Sequence, residues 1–177
     1  MKLAVESTLA FSRELVFKTY RDRLVELVPF LPNIRSIERT SRQDEPPVSR
    51  IVNVWRGGGD IPSVARAFLS ERMLSWTDYA VWDETRWTCQ WRMEAHSFKE
   101  AVKAEGINRF QEKGTGCTLV IDGELGIDGR KLPIPRFLAG TAAPAIEKFL
   151  MSMIRPNLTE VAKGVARFLE AEEKAAR

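Results

Sequence analysis

The last third of the sequence places the tightest constraint on what this chain can fold into. From Thr141 to Lys163 the chain contains no glycine, and apolar residues recur there at the spacing of one helical face. Most earlier segments alternate apolar and polar residues, which is typical of strands with one buried side. A single long amphipathic helix must therefore cover a sheet with one apolar face, and this predicts an α+β fold.

The beginning of the chain predicts a strand followed by a helix. Residues Lys2–Phe11 alternate, and Ser12 is a suitable N-cap for a helix that runs from Arg13 toward Leu27. Two further alternating runs lie between residues 34 and 55, and the turn-prone sequence "QDEPP" between them predicts a hairpin.

The middle of the chain continues this pattern with one irregular segment. Residues Asp60–Met73 predict either a short helix or a partly irregular stretch, because Pro62 lies near its start. Residues Phe98–Gln111 and Cys117–Ile127 predict another hairpin, since the sequence "EKGTG" between them carries two glycines. The sheet is therefore expected to be built mainly from antiparallel hairpins.

Four of the five tryptophans lie in "WTDYAVWDETRWTCQW", residues Trp76–Trp91. With Glu84 and Thr85 as a hairpin loop, Trp82 is predicted to lie opposite Trp87, and the other predicted pairs are Ala80 with Cys89, Asp78 with Trp91 and Trp76 with Met93. All four indoles then share one face of the sheet. The opposite face of the second strand is polar, so we expect the indoles to point inward.

These elements resemble a known superfamily in their kind and order. The "SRELVFKTYRD" helix after the first strand, the "WTDYAVWDE" and "WTCQWRMEA" strands and the long terminal helix are similar to the START-like, or Bet v 1-like, helix-grip superfamily of polyketide cyclase and lipid-transport domains. The similarity extends over nearly the whole chain, so residues 1–177 are expected to form one such domain. The resemblance implies a curved antiparallel sheet wrapped around the long C-terminal helix, with a ligand cavity between them.

The resemblance implies binding residues but no catalytic ones, because the superfamily has no short invariant motif. The residues expected to contact a ligand are Trp76, Asp78, Trp82, Trp87, Trp91, Phe110, Phe149 and Met153. For the four tryptophans, a solid aromatic core is the alternative. Asp78 would point inward among them, where an isolated carboxylate is costly unless it is paired or hydrated. It is therefore expected either at a wet cavity mouth or as the polar anchor of a ligand.

The leading functional hypothesis is binding, or transport, of a hydrophobic small molecule or lipid without any cofactor. The alternative is an enzyme of the cyclase, aromatase or dehydratase kind, in which His96, Asp78 or Glu100 moves protons. A third alternative is a protein-interaction module of the co-chaperone kind. His96 is the only histidine, so no multi-histidine metal site is expected.

The composition narrows the partners and the compartment. The chain has 27 basic and 24 acidic side chains, a net charge of +3, and these charges are interleaved, which argues against nucleic acid as the main partner. Cys89 and Cys117 form no disulfide framework and are expected to be free core thiols. Residues Arg130–Gly140 combine apolar and basic side chains, which predicts either a packed connection or a lid that transiently contacts a membrane. A glutamate in the N-terminal apolar run argues against a signal peptide, so a cytoplasmic protein is expected.

Overall fold

The computed structural model of the protein describes residues 2–61, 63, 66, 69–97, 99–132 and 136–176; within the last range, the side chains of residues 136–139, 141–142 and 153–158 are not described. Its elements, in chain order, are β1 Lys2–Leu9, α1 Arg13–Asp22, a 3-10 helix Leu24–Phe30, β2 Ile34–Glu45, β3 Val48–Gly57, a 3-10 turn Glu71–Met73, β4 Ser75–Asp83, β5 Thr88–Ala95, β6 Val102–Lys113, β7 Gly116–Ile127, a 3-10 turn Gly129–Lys131 and α2 Arg136–Ala175.

The seven strands form one antiparallel sheet in the order β1-β7-β6-β5-β4-β3-β2. Every strand from β2 to β7 is therefore paired with its sequence neighbour, and β1 joins the far side of β7. The helix α2 packs against β1, β7 and the 3-10 helix Leu24–Phe30. The predicted α+β arrangement of a sheet covered by a long C-terminal helix is confirmed. No helix in the described ranges has the length and apolar character that crossing a membrane requires.

The helix α1 begins as predicted and ends earlier. The backbone N–H of Leu15 donates to the Ser12 hydroxyl oxygen over 3.3 Å, which confirms Ser12 as the N-cap. The α-helix stops at Asp22, because Arg23 leaves the helical conformation with a φ of −115°. The chain then continues as a 3-10 helix, whose three-residue period places Leu24 and Leu27 on the same buried side.

Two other segments differ from the sequence prediction. The helix α2 begins at Arg136, five residues before the predicted start at Thr141. Of the predicted short helix over residues 60–73, only Glu71–Met73 forms a helical turn, while residues 62, 64, 65, 67 and 68 lie outside the described part of the chain. Residues 130–140, predicted as either a packed connection or a lid, also fall largely outside it, at residues 133–135 and the side chains of 136–139.

The predicted pairing of the tryptophan hairpin is wrong by two residues. The loop spans residues 84–87, and Trp82 lies opposite Cys89, with Ala80 opposite Trp91. The Asp83 carboxylate holds this longer loop, because its Oδ1 accepts hydrogen bonds from the backbone N–H of residues 85 and 86 and from the Thr85 hydroxyl.

The same correction removes Trp87 from the strand. It lies in the loop with a φ of 55°, in the left-handed region that non-glycine residues rarely adopt. A shift of two residues preserves the side-chain parity of both strands. Trp76, Trp82 and Trp91 therefore still share the inner face of the sheet, as the sequence predicted.

The inner face of the sheet is covered in two places. One core cluster joins Phe17 of α1 and Val165 of α2 to the sheet residues Ile51 and Leu119. A second cluster packs Leu125 of β7 against the N-terminal half of α2, through residues that include Ile146, Phe149 and Leu150. Trp91 is partly buried and packs against both clusters.

Two glycines make room for the indole of Trp91. Gly106 of β6 and Gly123 of β7 lie opposite each other, and a Cβ added at these positions would lie 2.6 Å and 3.1 Å from Cζ2 of Trp91. The first distance is far below van der Waals contact, so the indole lies directly on the glycine backbone. This contact requires residues without a side chain at that crossing.

Replacing Gly106 with alanine is expected to lower the free energy of unfolding by about 2 kcal/mol. The new Cβ would clash with the Asp122 carbonyl oxygen and lie 2.6 Å from Cζ2 of Trp91, so the backbone and the indole must shift. The matched control is Gly126→Ala in the same sheet, where an added Cβ meets no atom within 4 Å, and we expect a change within about 0.5 kcal/mol there. Urea denaturation of both variants measures the difference, and equal stabilities would contradict the proposed contact.

Candidate ligand-binding cavity

A cavity of about 100 Å³ lies between the inner face of the sheet, α1 and α2. For comparison, an apolar cavity of about 150 Å³ in another protein binds benzene, so this space suits a group about the size of one ring. Its lining comes from the helices through Tyr20, Arg21, Leu24 and Val161, and from the sheet through Asn53, Trp55, Trp76, Asp78, Ala80, Trp82, Cys89, Trp91, Met93, Ala104 and Asn108.

Indole side chains dominate the wall formed by the sheet. Trp55 and Trp76 lie opposite each other on β3 and β4, and their rings stack at 5.7 Å with an angle of 16°. Trp82 packs edge to face against Tyr20, with ring centroids 5.3 Å apart. Trp91 lies on the two glycines, and its indole N–H donates to Oδ1 of Asn108 over 2.9 Å. These contacts hold the rings in fixed orientations.

Asp78 is the acidic side chain of the cavity lining, and it is half-buried among the indoles. Burial raises the pKa of its carboxyl to about 7, because the charged form loses its hydration, while nearby Asn53 and Trp55 favour the carboxylate and limit the rise. The contact with Asn53 is long, since Nδ2 of Asn53 donates to Oδ2 of Asp78 over 3.5 Å. The carboxyl is therefore weakly satisfied by the protein itself.

Two buried polar atoms beside Asp78 have no hydrogen-bond partner within the described part of the chain. They are the amide oxygen Oδ1 of Asn53 and the indole N–H of Trp55. Asn53 is only 2% exposed, so bulk water does not satisfy this oxygen. Buried polar groups without partners are uncommon in folded proteins and are costly. Both residues line the cavity, and a ligand or a bound water there would satisfy them.

Tyr20 and Cys89 add two further titratable groups to the cavity wall. Burial raises the pKa of both side chains far above their usual values, and the nearby Asp78 charge raises them further. Both groups are therefore neutral at physiological pH. Asn108, which accepts from Trp91, lies near the Tyr20 phenol and limits the rise of its pKa. Asp78 is thus surrounded by neutral polar groups.

Arg21 is the basic residue of the lining, and its charge is already compensated. Its side chain is 7% exposed and forms ion pairs with Asp22, at 2.9 Å, and with Glu84. Arg39 covers the backbone at the same end of α1, because its guanidinium donates to the carbonyl oxygens of Arg21 and Asp22. The guanidinium of Arg21 is therefore directed to acidic partners and not to Asp78.

The predicted ligand-contacting residues separate into two groups. Trp76, Asp78, Trp82 and Trp91 line the cavity. Trp87 lies instead in the β4–β5 loop, where the Arg13 guanidinium lies 4.3 Å from the ring centre. Phe110 is buried in the first core cluster and Phe149 in the second. The side chain of Met153 lies outside the described residues.

Two of the three weak catalytic candidates lie away from the cavity. His96 is exposed after β5, and its ring nitrogens lie 3.1 Å from the Ser75 hydroxyl and 2.8 Å from the Thr77 hydroxyl. Glu100 is also exposed, in the connection to β6. Asp78 is the candidate that the fold brings to the cavity. No group of three potential metal-ligating side chains occurs among the described residues.

The sequence also contained cavity residues that were not predicted. Asn53 and Trp55 occupy alternate positions of β3, and their parity with Ile51 is the signal that would have placed them on the inner face. Tyr20 lies on the buried face of α1, but nothing in the sequence shows which strand that face meets.

The sequence has no match among protein-family models and none among curated proteins. Solved structures do match. TTHA0849 from Thermus thermophilus superposes with a TM-score of 0.70 at 18% identity, over 97% of this chain and 99% of that one. The Zhui aromatase/cyclase from Streptomyces sp. R1128 gives a TM-score of 0.70 at 16% identity, over 99% and 97%. Norcoclaurine synthase from Thalictrum flavum gives 0.59 at 14% identity, over 96% and 86%.

These likenesses extend over nearly the whole of each chain, and at this level of identity they establish the fold. The chain has the helix-grip α+β fold of the START-like, or Bet v 1-like, superfamily, with a seven-stranded antiparallel sheet and a long C-terminal helix. The fold predicted from the order of sequence elements is therefore confirmed.

Asp78 is expected to make stability depend on pH. In the folded protein the Asp78 carboxyl stays protonated up to a pH of about 7, which is its pKa. In the unfolded chain the same carboxyl releases its proton near pH 4. The contribution of Asp78 to the free energy of unfolding therefore falls as the pH rises from about 4 to about 7, by up to about 4 kcal/mol.

In the variant Asp78→Asn most of this decrease in the free energy of unfolding is expected to be absent. The variant is also expected to be more stable than the wild type at about pH 8. Urea denaturation at about pH 5 and about pH 8 measures the free energy of unfolding of the variant and the wild type. Glu124→Gln, an exposed change on β7, is the control and should keep the wild-type slope. An unchanged slope in Asp78→Asn would show that this carboxyl is not desolvated.

Proposed function

We propose that the protein binds a hydrophobic small molecule in the cavity between the sheet and α2, with Asp78 as its polar anchor. The observation that supports this most directly is the cavity itself, about 100 Å³ lined by four indoles and a few polar side chains. Apolar walls with a small number of convergent polar groups are typical of ligand sites.

The energetics indicate why polar contacts are needed. A ring-sized ligand that buries about 200 Å² of apolar surface gains about 5 kcal/mol, and the loss of translational and rotational freedom consumes much of this gain. Apolar burial alone therefore gives weak binding. The unpartnered groups of Asn53 and Trp55 and the carboxyl of Asp78 supply additional, directional interactions to a ligand.

Filling the cavity is expected to abolish binding. Ala80 lines the cavity and is buried, whereas its neighbour Val81 points to the exposed face of β4. The three extra carbons of Ala80→Leu occupy the ligand space, so we expect at least about tenfold weaker binding, and Val81→Leu is the matched control. The measurement is a titration with ethylbenzene followed by tryptophan fluorescence, together with native mass spectrometry of the purified protein for a retained ligand.

The proposal fails if the wild type neither retains a ligand nor binds ethylbenzene. It also fails if both leucine variants bind equally well, because the bound probe would then lie elsewhere.

An enzyme of the cyclase, aromatase or dehydratase kind is the second candidate, and one observation favours it. The pKa of Asp78 lies near 7, where a carboxyl both accepts and donates protons readily at physiological pH. One structural match is an aromatase/cyclase, and the cavity would then hold the reacting part of a longer chain.

For the enzyme candidate, Asp78→Asn is expected to lower turnover of a poly-β-ketone thioester analogue by about 10²-fold or more. His96→Ala is the matched control, since His96 is exposed and outside the cavity lining, and its turnover should equal that of the wild type. Product formation is followed by absorbance and mass spectrometry. Undiminished turnover in Asp78→Asn would exclude this carboxyl as the acid or base.

A further inference from the structure

We infer that the cavity selects ligands whose polar end is an ammonium group, held between the indole faces and paired with the Asp78 carboxylate. This inference rests on the proposed function and adds a chemical class to it. It is carried by the distribution of donors and acceptors around Asp78, by the orientation of the indoles and by the balance of charge in the lining.

The acceptor oxygens at Asp78 and Asn53 receive few hydrogen bonds within the described structure. The acceptors are the two carboxyl oxygens of Asp78 and the free Oδ1 of Asn53. Two donors lie near these acceptors. The Asn53 amide N–H contacts Asp78 over a long distance of 3.5 Å. The indole N–H of Trp55 lies near the carboxyl but has no hydrogen-bond partner in the described structure. A ligand that donates two or more hydrogen bonds satisfies these acceptors, whereas a ligand carbonyl adds another acceptor. An ammonium group is the strongest such donor.

The indoles provide the second requirement of a cation site. Cζ2 of Trp91 lies against the glycine pair, and the same indole lines the cavity. Trp55 and Trp76 are stacked on each other and form the adjacent wall. Ammonium groups bind favourably over indole faces, and several aromatic rings around one cation form the known type of aromatic cage.

The charges facing Asp78 also favour a cation. From α1 it faces the neutral Tyr20 phenol and Arg21, whose charge is paired with Asp22 and Glu84. From β5 it faces the neutral Cys89 thiol, and its neighbours on β3 are the uncharged Asn53 and Trp55. The lining contributed by β6 and α2 is Ala104, Asn108 and Val161, which carry no charge. Asp78 is therefore the one acid of the described lining without a basic partner, and a ligand cation supplies that partner.

Three probes of the same size separate this inference from simple apolar binding. Ethylbenzene, benzyl alcohol and benzylamine share one skeleton and differ in a methyl, a hydroxyl and an ammonium group. We expect benzylamine to bind the wild-type protein at least about tenfold more tightly than benzyl alcohol, because a charge-assisted hydrogen bond is about twice as strong as a neutral one. Tryptophan fluorescence titration and calorimetry measure the three dissociation constants.

The role of the Asp78 carboxylate in benzylamine binding is tested with the variant Asp78→Asn and with a change of pH. In Asp78→Asn the preference for benzylamine over benzyl alcohol should disappear, and circular dichroism checks that the variant is folded. In the wild type, benzylamine should bind more tightly as the pH rises from about 5.5 to about 8, because the ammonium pairs with the ionised form of Asp78. Ethylbenzene affinity should not follow this profile. The wild-type measurements require no variant and decide the matter even if Asp78→Asn folds poorly.

The outcomes also separate this inference from the proposed function. Equal or weaker binding of benzylamine relative to benzyl alcohol, with ethylbenzene bound, overturns the ammonium assignment alone and leaves a site for neutral ligands. A preference for benzylamine that persists in Asp78→Asn, or that does not strengthen with pH, also overturns it. Failure of all three probes to bind counts against the proposed function itself.

Discussion

The contact between the Trp91 indole and the backbone of two paired glycines determines where this sheet can leave a space. Gly106 and Gly123 provide no side chains at the centre of the inner face, and Trp91 fills that position with a flat ring. Its neighbours Trp55, Trp76 and Trp82 continue the wall on β3 and β4. The helix α2 contacts the sheet in two separate clusters that Trp91 joins, and the cavity lies beside the point where they meet. Rigid aromatic walls on a glycine floor keep it open, because the rings cannot collapse into it without losing their packed contacts.

The loss of stability that this arrangement causes is concentrated around Asp78. Asp78 lies in the apolar wall with an amide oxygen and an indole N–H that have no partner among the described residues. An apolar core would be more stable there. Such local destabilisation is typical of sites that bind or react, since a group that the protein leaves unsatisfied remains available to a ligand. Arg21, which is more deeply buried than Asp78, is by contrast paired with Asp22 and Glu84. The difference between these two charged residues is the reason we propose Asp78 as the polar group that a ligand contacts.

Much of the fold was predictable because it follows from local rules. The Ser12 cap, the alternation of the strands and the long terminal helix depend on neighbours within a few residues, and the structure confirms them. The inner position of Trp76, Trp82 and Trp91 was predictable for the same reason, because parity along a strand survives an error of two residues in register. The register itself was not, because Asp83, the last residue of β4, selects a longer turn when its carboxylate accepts hydrogen bonds from two backbone amides and a hydroxyl. Trp87 therefore leaves the strand, and no alternation pattern shows this.

By itself the sequence determined the kind and order of the elements, the apolar face of the sheet and the presence of an acid among tryptophans. Only the tertiary structure decided which side chains meet at the cavity. It brought Asn53 and Trp55 from β3 and Tyr20 from α1 to Asp78, and it placed His96 and Glu100 away from them. The physical reason is that periodicity assigns a side chain to a face, whereas proximity between faces depends on the register of each strand pair and on where the helices cross the sheet. Those quantities arise from packing over the whole chain, and no short segment of the sequence contains them.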